Sequence, residues 1–298
     1  MAVIALMMTI SASAQFYIYF SDGTIAKVDS ISMIAPGKPE EPDTPTEPEE
    51  PTNPSAGIGV FSVSADKQVT FSQGNLQYTQ STNTWSFAEN QYDYLGEANS
   101  AIDADVLADK VDFFCWSTSA NSFGVTTSTS SSDYSRSFVD WGRNKIGNDA
   151  PNTWRTLTYD EWYYLRNTRP NASSLRGVAQ VNGVNGLILL PDNWTCPSGV
   201  TFKSGFHSDN SVEAYGQYQT FTADQWKKLE IAGAVFLPAA GNRPIGSGVF
   251  EVQFSGFYWS ASGLNSYDAY CFFLYSNGAG MDYTRVYCGY SVRLVKDL

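Results

Sequence analysis

The sequence is poor in charge and contains a single histidine. Only 16% of the 298 residues are charged, and 30 Asp and Glu outnumber 18 Lys and Arg, which gives a net charge of -12. Without a basic stripe to neutralise phosphates, we expect no nucleic-acid partner and no anionic membrane partner. His207, followed by Ser208 and Asp209, is the one histidine available for a hydrolase triad, and we interpret this stretch as a polar loop.

Patterns that hold metals or phosphates are missing as well. The four cysteines include no CxxC pair, which argues against a zinc site. Asp103, Asp105 and Asp109 are of the type that binds calcium, but their loop lacks the fixed glycine and terminal glutamate of an EF-hand. The stretch "GNRPIGSG" lacks the lysine of a phosphate-binding loop. We therefore expect neither a metal nor a cofactor.

The apolar run near the N-terminus is too short to span a bilayer as a stable anchor. It is followed by Ala12-Ser13-Ala14, the small-x-small pattern of a signal-peptidase site. This pattern predicts a signal peptide over 1–14, with cleavage before Gln15, and a secreted or cell-surface bacterial protein. The alternative is that the run is a buried strand or helix. No membrane span is expected.

A short hairpin is predicted for 15–35. Two apolar-alternating runs flank Asp22-Gly23, a dipeptide that accepts the positive φ values of a tight turn. An isolated hairpin is marginally stable in water. We therefore expect this segment to dock on the main domain or on a partner in the cell envelope.

A proline-rich linker is predicted for 36–56. Proline recurs there at every third position, which is the spacing of a polyproline II helix, and glutamates lie between the prolines. At about 3.1 Å per residue this segment would form a semi-rigid spacer of up to ~60 Å. The alternative is a PxxP ligand for a partner domain.

The remaining residues, 57–298, are rich in short apolar runs separated by Gly, Asn, Ser and Pro, which is typical of short strands. Two helices are predicted, at 158–165 and 222–229, because both segments read T-x-D-[E/Q]-W-x-x-L. Threonine with Glu or Gln three residues later is a capping box, and the Trp and Leu form one apolar stripe. We interpret Asp160 and Glu161 as capping residues and not as catalytic ones.

Several stretches carry a family resemblance: "QVTFSQGNLQY", "WRTLTYDEWYYL", "GLILLPDNW", "AVFLPAAGNR", "FYWSAS" and "GYSVRLV". Together they are similar to the Fibrobacter succinogenes major paralogous domain, a group that resembles the formylglycine-generating-enzyme version of the C-type lectin fold. The resemblance implies an α+β domain with two main helices, short and mostly antiparallel strands, and an irregular loop region that presents ligands. The close cysteine pair of the enzymes is not matched, because Cys271 and Cys288 lie far apart in sequence.

The four cysteines allow three pairings in an exported chain. A turn centred on 278–280 would place Cys271 opposite Cys288 in an antiparallel hairpin and leave Cys115 to pair with Cys196. Reduced cysteines that act as small apolar residues are the open alternative.

The C-terminal segment combines tyrosines, asparagine and glycine with little charge, a composition that antibody loops use for rigid contact area. It also resembles the variable regions of proteins diversified by retroelements on a C-type lectin scaffold. Alternating residues over 270–275 make both strand faces apolar, so either both are buried or one is a binding surface. The predicted ligand-binding residues are Tyr267, Tyr275, Asn277, Asp282, Tyr283 and Tyr287.

Together these patterns predict a secreted or surface-displayed, adhesin-like protein that binds a protein or glycan ligand and is not an enzyme. Two alternatives stay open. One is a catalytic relative, either an oxidoreductase of the formylglycine type or a glycan hydrolase. The other is a structural subunit of a surface assembly.

Overall fold

The computed structural model describes residues 16–19, 25–28, 59–100, 109–117, 124–126, 128–130, 133–134, 137–244 and 248–298. Two compact units are present, Met1–Thr52 and Asn53–Leu298. In the first, β1 (Phe16–Tyr19) and β2 (Ile25–Val28) pair antiparallel. The predicted signal peptide and proline-rich linker lie outside the described residues.

The described part of the second unit mixes α-helices with mostly antiparallel strands, as the sequence predicts, but it has three short helices instead of two main ones. Its helices are α1 (Tyr159–Tyr163), α2 (Val212–Tyr218) and α3 (Ala223–Ile231). Its strands are β3 (Phe61–Ser62), β4 (Gln68–Phe71), β5 (Leu76–Thr79), β6 (Thr84–Phe87), β7 (Lys110–Val111), β8 (Arg155–Thr156), β9 (Arg176–Val181), β10 (Val184–Leu189), β11 (Thr220–Phe221), β12 (Val235–Pro238), β13 (Ser255–Gly263), β14 (Asp268–Tyr275), β15 (Gly278–Arg285) and β16 (Leu294–Asp297).

Within the described part of this unit, the strands form four sheets. Their strand orders are β3-β4-β16-β8, β6-β5-β7, β11-β9-β10-β12 and β13-β14-β15. All the pairings are antiparallel except that of β11 with β9. The first sheet joins distant parts of the chain, because β16 lies between β4 and β8.

Both predicted capping boxes are formed. The Thr158 hydroxyl accepts the Glu161 N–H, and the Glu161 carboxylate accepts the Thr158 N–H. Thr222 and Gln225 make the same reciprocal pair at the start of α3. Each box satisfies two backbone donors that the first helical turn would otherwise leave unpaired. Gly233, with φ of 91°, follows the end of α3.

Three apolar clusters fill the part of the second unit that the structure describes. The first is built around Trp162 and Phe272, the second around Trp116 and Trp259, and the third around Trp226. The tryptophans of both capping-box helices are thus core residues, as the apolar stripe of each helix predicts.

A buried cation connects distant parts of the core. Arg293 donates to the Gln91 side chain and the Phe236 carbonyl, both at 2.8 Å, and to Asn75 at 3.3 Å. Burial lowers the pKa of Arg293 to about 10, so the side chain stays charged at neutral pH. These neutral partners accept hydrogen bonds from both terminal nitrogens of the buried guanidinium.

Candidate functional site

Five of the six predicted binding residues lie in the β13-β14-β15 sheet or directly beside it. The centre of this sheet belongs to the apolar core. Phe272 and Leu274 are buried on one face of β14, and Cys271 is buried on the other. Trp162 of α1 stacks on Phe272 with ring centroids 4.7 Å apart. The apolar alternation over 270–275 therefore reflects burial on both faces in the middle of the strand.

One end of this sheet presents polar and aromatic side chains. Asp268 lies opposite Arg285, and Tyr270 lies opposite Tyr283, so the four residues share one face. Arg285 Nη1 donates to Asp268 Oδ1 at 3.1 Å. Tyr283 is 56% exposed. The face therefore changes from core to surface towards this end of the sheet.

The loop between β13 and β14 is held by its own hydrogen bonds. Asn265 Oδ1 accepts the backbone N–H groups of Tyr267 and Asp268, at 2.7 and 2.9 Å. The Leu264 N–H donates to the Asp268 carbonyl, and the Val286 N–H donates to the Tyr267 carbonyl. These bonds fix the loop while Tyr267 remains 53% exposed.

Two open clefts adjoin this loop. The first has a volume of about 340 Å³ and is lined by Thr129, Tyr267, Arg285, Val286 and Tyr287. The second, of about 450 Å³, is lined by Trp116, Phe138, Ala261, Gly263, Leu264, Asn265 and Ser266. The loop contributes residues to both clefts. We define the loop-end surface as Leu264, Tyr267, Tyr283, Arg285 and Tyr287.

The structure brings together only part of the predicted set. Tyr267, Tyr283 and Tyr287 belong to the loop-end surface. Asp282 neighbours Tyr283 in sequence but lies on the opposite face of β15, across from Cys271.

Tyr275 and Asn277 lie at the other end of the hairpin. Eight strand residues at about 3.3 Å each separate the two ends by about 25 Å. Tyr275 is half-buried against Phe254 and Phe257, whereas Asn277 is exposed in the turn. The six predicted residues therefore do not form one continuous contact surface.

The predicted register of the β14–β15 hairpin is wrong. Tyr275 pairs with Gly278, so the turn is at 276–277, and Cys271 lies opposite Asp282 instead of Cys288. The turn is fixed from outside the hairpin: Ser276 Oγ donates to the Asp209 carbonyl and accepts the Ser211 N–H. All four cysteines carry free thiols in this structure.

The single histidine does not have triad geometry. His207 Nδ1 accepts the Asp209 N–H at 2.9 Å, and the Ser208 hydroxyl donates to the Asp209 carboxylate instead of to His207. In a triad the histidine lies between the nucleophile and the carboxylate. The stretch is thus a hydrogen-bonded polar loop.

The carboxylate of Glu161 is fully used by structure. In addition to its capping bond, it contacts Arg155 at 2.7 Å and Lys67 at 3.1 Å. Burial raises the pKa of Glu161, but the bonds from Arg155 and the Thr158 backbone outweigh burial and hold it below its usual range. This environment suits an ionised structural group and not a general acid.

Among the described residues, no group of three or more His, Cys, Asp or Glu side chains is arranged to hold a metal ion. Asp103 and Asp105 lie outside those residues, and Asp109 accepts the Ser81 N–H. In the same part of the chain, none of the helices has the length and apolar character needed to cross a membrane.

Sequence reasoning did not single out Leu264, Asn265, Arg285 or the Thr129 side of the first cleft. The role of Asn265 is predictable from the sequence, because an asparagine that precedes a bend often bonds the backbone two residues later. No sequence pattern identifies Arg285, because its pairing with Asp268 depends on the hairpin register.

Comparison of the chain with family models, with curated proteins and with solved structures finds no match in any of the three.

Proposed function

We propose that this is a secreted or surface-displayed, non-catalytic binding protein, and that its loop-end surface contacts a protein or glycan ligand. The observation that carries the proposal is Tyr267, half exposed at the tip of a loop locked by Asn265 and bordered by two clefts. Exposed apolar groups beside concave surface are typical of binding sites.

The chemistry of this surface suits recognition. Tyrosine supplies a large rigid ring with a hydroxyl, and it loses little conformational entropy when it is bound. Because Asn265 already fixes the loop, a ligand would not have to order it, and preorganisation of this kind increases affinity. Arg285 and Asp268 add a charged pair beside Tyr283 that can exchange hydrogen bonds with polar ligand groups.

The proposed fold is the C-type-lectin-like one that the sequence resembles. Its support is the α+β content, the two capping-box helices with buried tryptophans, and a loop region at one end of a small antiparallel sheet. In this proposal the β1–β2 hairpin contacts an envelope partner, and the proline-rich segment displays the domain away from the cell surface.

The test is binding of the purified full chain to a combined glycan and protein array. Tyr267→Ala and Tyr283→Ala are compared with wild type. The matched control is Phe250→Ala, which removes a 55% exposed ring that lines neither cleft. We expect the tyrosine variants to lose at least tenfold in affinity for any ligand found, with melting temperatures close to wild type.

Equal losses for all three variants, or full binding by both tyrosine variants, would place the ligand elsewhere. Turnover of an array compound by the wild-type chain would overturn the non-catalytic part of the proposal.

A further inference from the structure

Three of the four thiols lie in one core cluster next to the loop-end surface. Cys115, Cys271 and Cys288 are buried in the second apolar cluster, whereas Cys196 is exposed. Cys288 directly follows Tyr287, which lines the first cleft. Three buried thiols therefore lie under one edge of this surface.

The contacts of Cys115 bring it to the backbone of Cys288. Cys115 Sγ donates to the Tyr287 carbonyl at 3.0 Å, and that carbonyl carbon is bonded to the Cys288 nitrogen. The preceding residue, Phe114, forms an antiparallel bridge with Tyr290. The two segments therefore run side by side at the cysteines.

Both sulfurs also border the same neighbouring segment. Arg243 Nη2 lies 3.5 Å from Cys115 Sγ, and Cys288 Sγ donates to the Pro244 carbonyl at 3.0 Å. Arg243 in turn bridges Gly289 through two backbone hydrogen bonds. Both thiols therefore border the segment 243–244, and Cys115 Sγ also contacts the peptide group that precedes Cys288.

We propose that Cys115 and Cys288 form a disulfide when the chain folds under oxidising conditions. A thiolate of one cysteine attacks a small-molecule disulfide such as oxidised glutathione, releasing one reduced thiol. The second cysteine then displaces the other glutathione from the mixed disulfide. Two protein thiols are oxidised and one glutathione disulfide is reduced to two thiols, which take up the two protons that the protein thiols lose.

Cys271 is the competing partner, and the structure favours Cys115 over it. Cys271 faces Asp282 across the β14–β15 ladder, whereas Cys115 Sγ contacts the peptide group that precedes Cys288. Burial raises the pKa of the Cys115 thiol, and the guanidinium of Arg243 only partly offsets that rise. Burial also raises the pKa of the Cys288 thiol. We therefore expect the bond between Cys115 and Cys288 to form before the core closes.

The experiment is refolding of the full chain from denaturant, either with a glutathione redox buffer or with a reductant. Free thiols are then alkylated, and the protein is digested with trypsin without reduction. Arg285 lies between Cys271 and Cys288, so trypsin separates all four cysteines. We expect a cross-link between the Cys115 and Cys288 peptides, with Cys196 and Cys271 alkylated.

Two variants and a melting measurement complete the test. Cys115→Ser should abolish the cross-link, and Cys196→Ser should leave it intact. Closure of so long a loop should raise the melting temperature of the oxidised chain by about 10 °C over the reduced one. A Cys271–Cys288 cross-link, or four alkylated cysteines after oxidative refolding, would overturn the proposal.

Discussion

Truncation of Trp162 tests whether the capping-box helix is scaffold. Trp162 is 1% exposed, stacks on Phe272 and lies 6.0 Å from Phe71, so its removal leaves a cavity between α1 and two strands. Replacement of a large buried aromatic by alanine costs about 3–5 kcal/mol. For a domain of this size, each kcal/mol lowers the melting temperature by about 2–4 °C. We therefore expect Trp162→Ala to melt about 6–20 °C below wild type.

The adjacent residue supplies the control. Tyr163 belongs to the same helix but is 48% exposed, with its ring stacked on Tyr159 at 6.2 Å. Exposed substitutions of this kind change stability by about 0.5 kcal/mol. Thermal melting and urea unfolding of both variants give the comparison. Similar losses for Trp162→Ala and Tyr163→Ala would refute the assignment of Trp162 as core.

Two further predictions concern a buried acid and a helix cap. Burial raises the pKa of Asp112 to about 6. Protonation therefore stabilises the folded chain below about pH 4, and about 3 kcal/mol is lost as the pH rises through 6. Asp112→Asn should remove that part of the slope in urea unfolding between pH 4 and 7, and an unchanged slope would contradict it. Thr222→Ala should cost about 1 kcal/mol by loss of a cap, whereas exposed Thr201→Ala should cost nothing measurable; equal effects would argue against the capping box.

Local signals carried most of what the sequence could predict. The capping boxes were readable because their donors and acceptors lie within four residues of each other. The buried tryptophans followed from the same helical spacing. The hydrogen bonds from the Tyr267 and Asp268 backbone to Asn265 are equally local and can be predicted in the same way.

The register of the β14–β15 hairpin could not be predicted from the sequence, because glycine has more than one structural role. Gly278 and Gly280 lie in the predicted turn, but in the structure they belong to β15. A Cβ at Gly280 would lie 3.0 Å from the Phe273 ring, so this glycine permits close packing and does not form a turn. The turn is set by contacts from Ser276 to Asp209 and Ser211, which are far away in sequence. Clefts that combine Thr129 with Tyr267 are beyond sequence patterns for the same reason.

The position of β16 has a consequence for the order of folding. Its residues pair with β4 and β8, the Ser72 N–H donates to the Leu294 carbonyl, and Arg293 bonds to Asn75 and Gln91. The first strands of the domain can therefore complete their pairing only when the last strand is present. Such long-range pairings give the fold a high contact order, which slows folding. During synthesis, one edge of β4 stays unpaired until the chain has emerged as far as β16. In a ribosome-bound chain that ends before Leu294, this exposed edge can bind chaperones or aggregate.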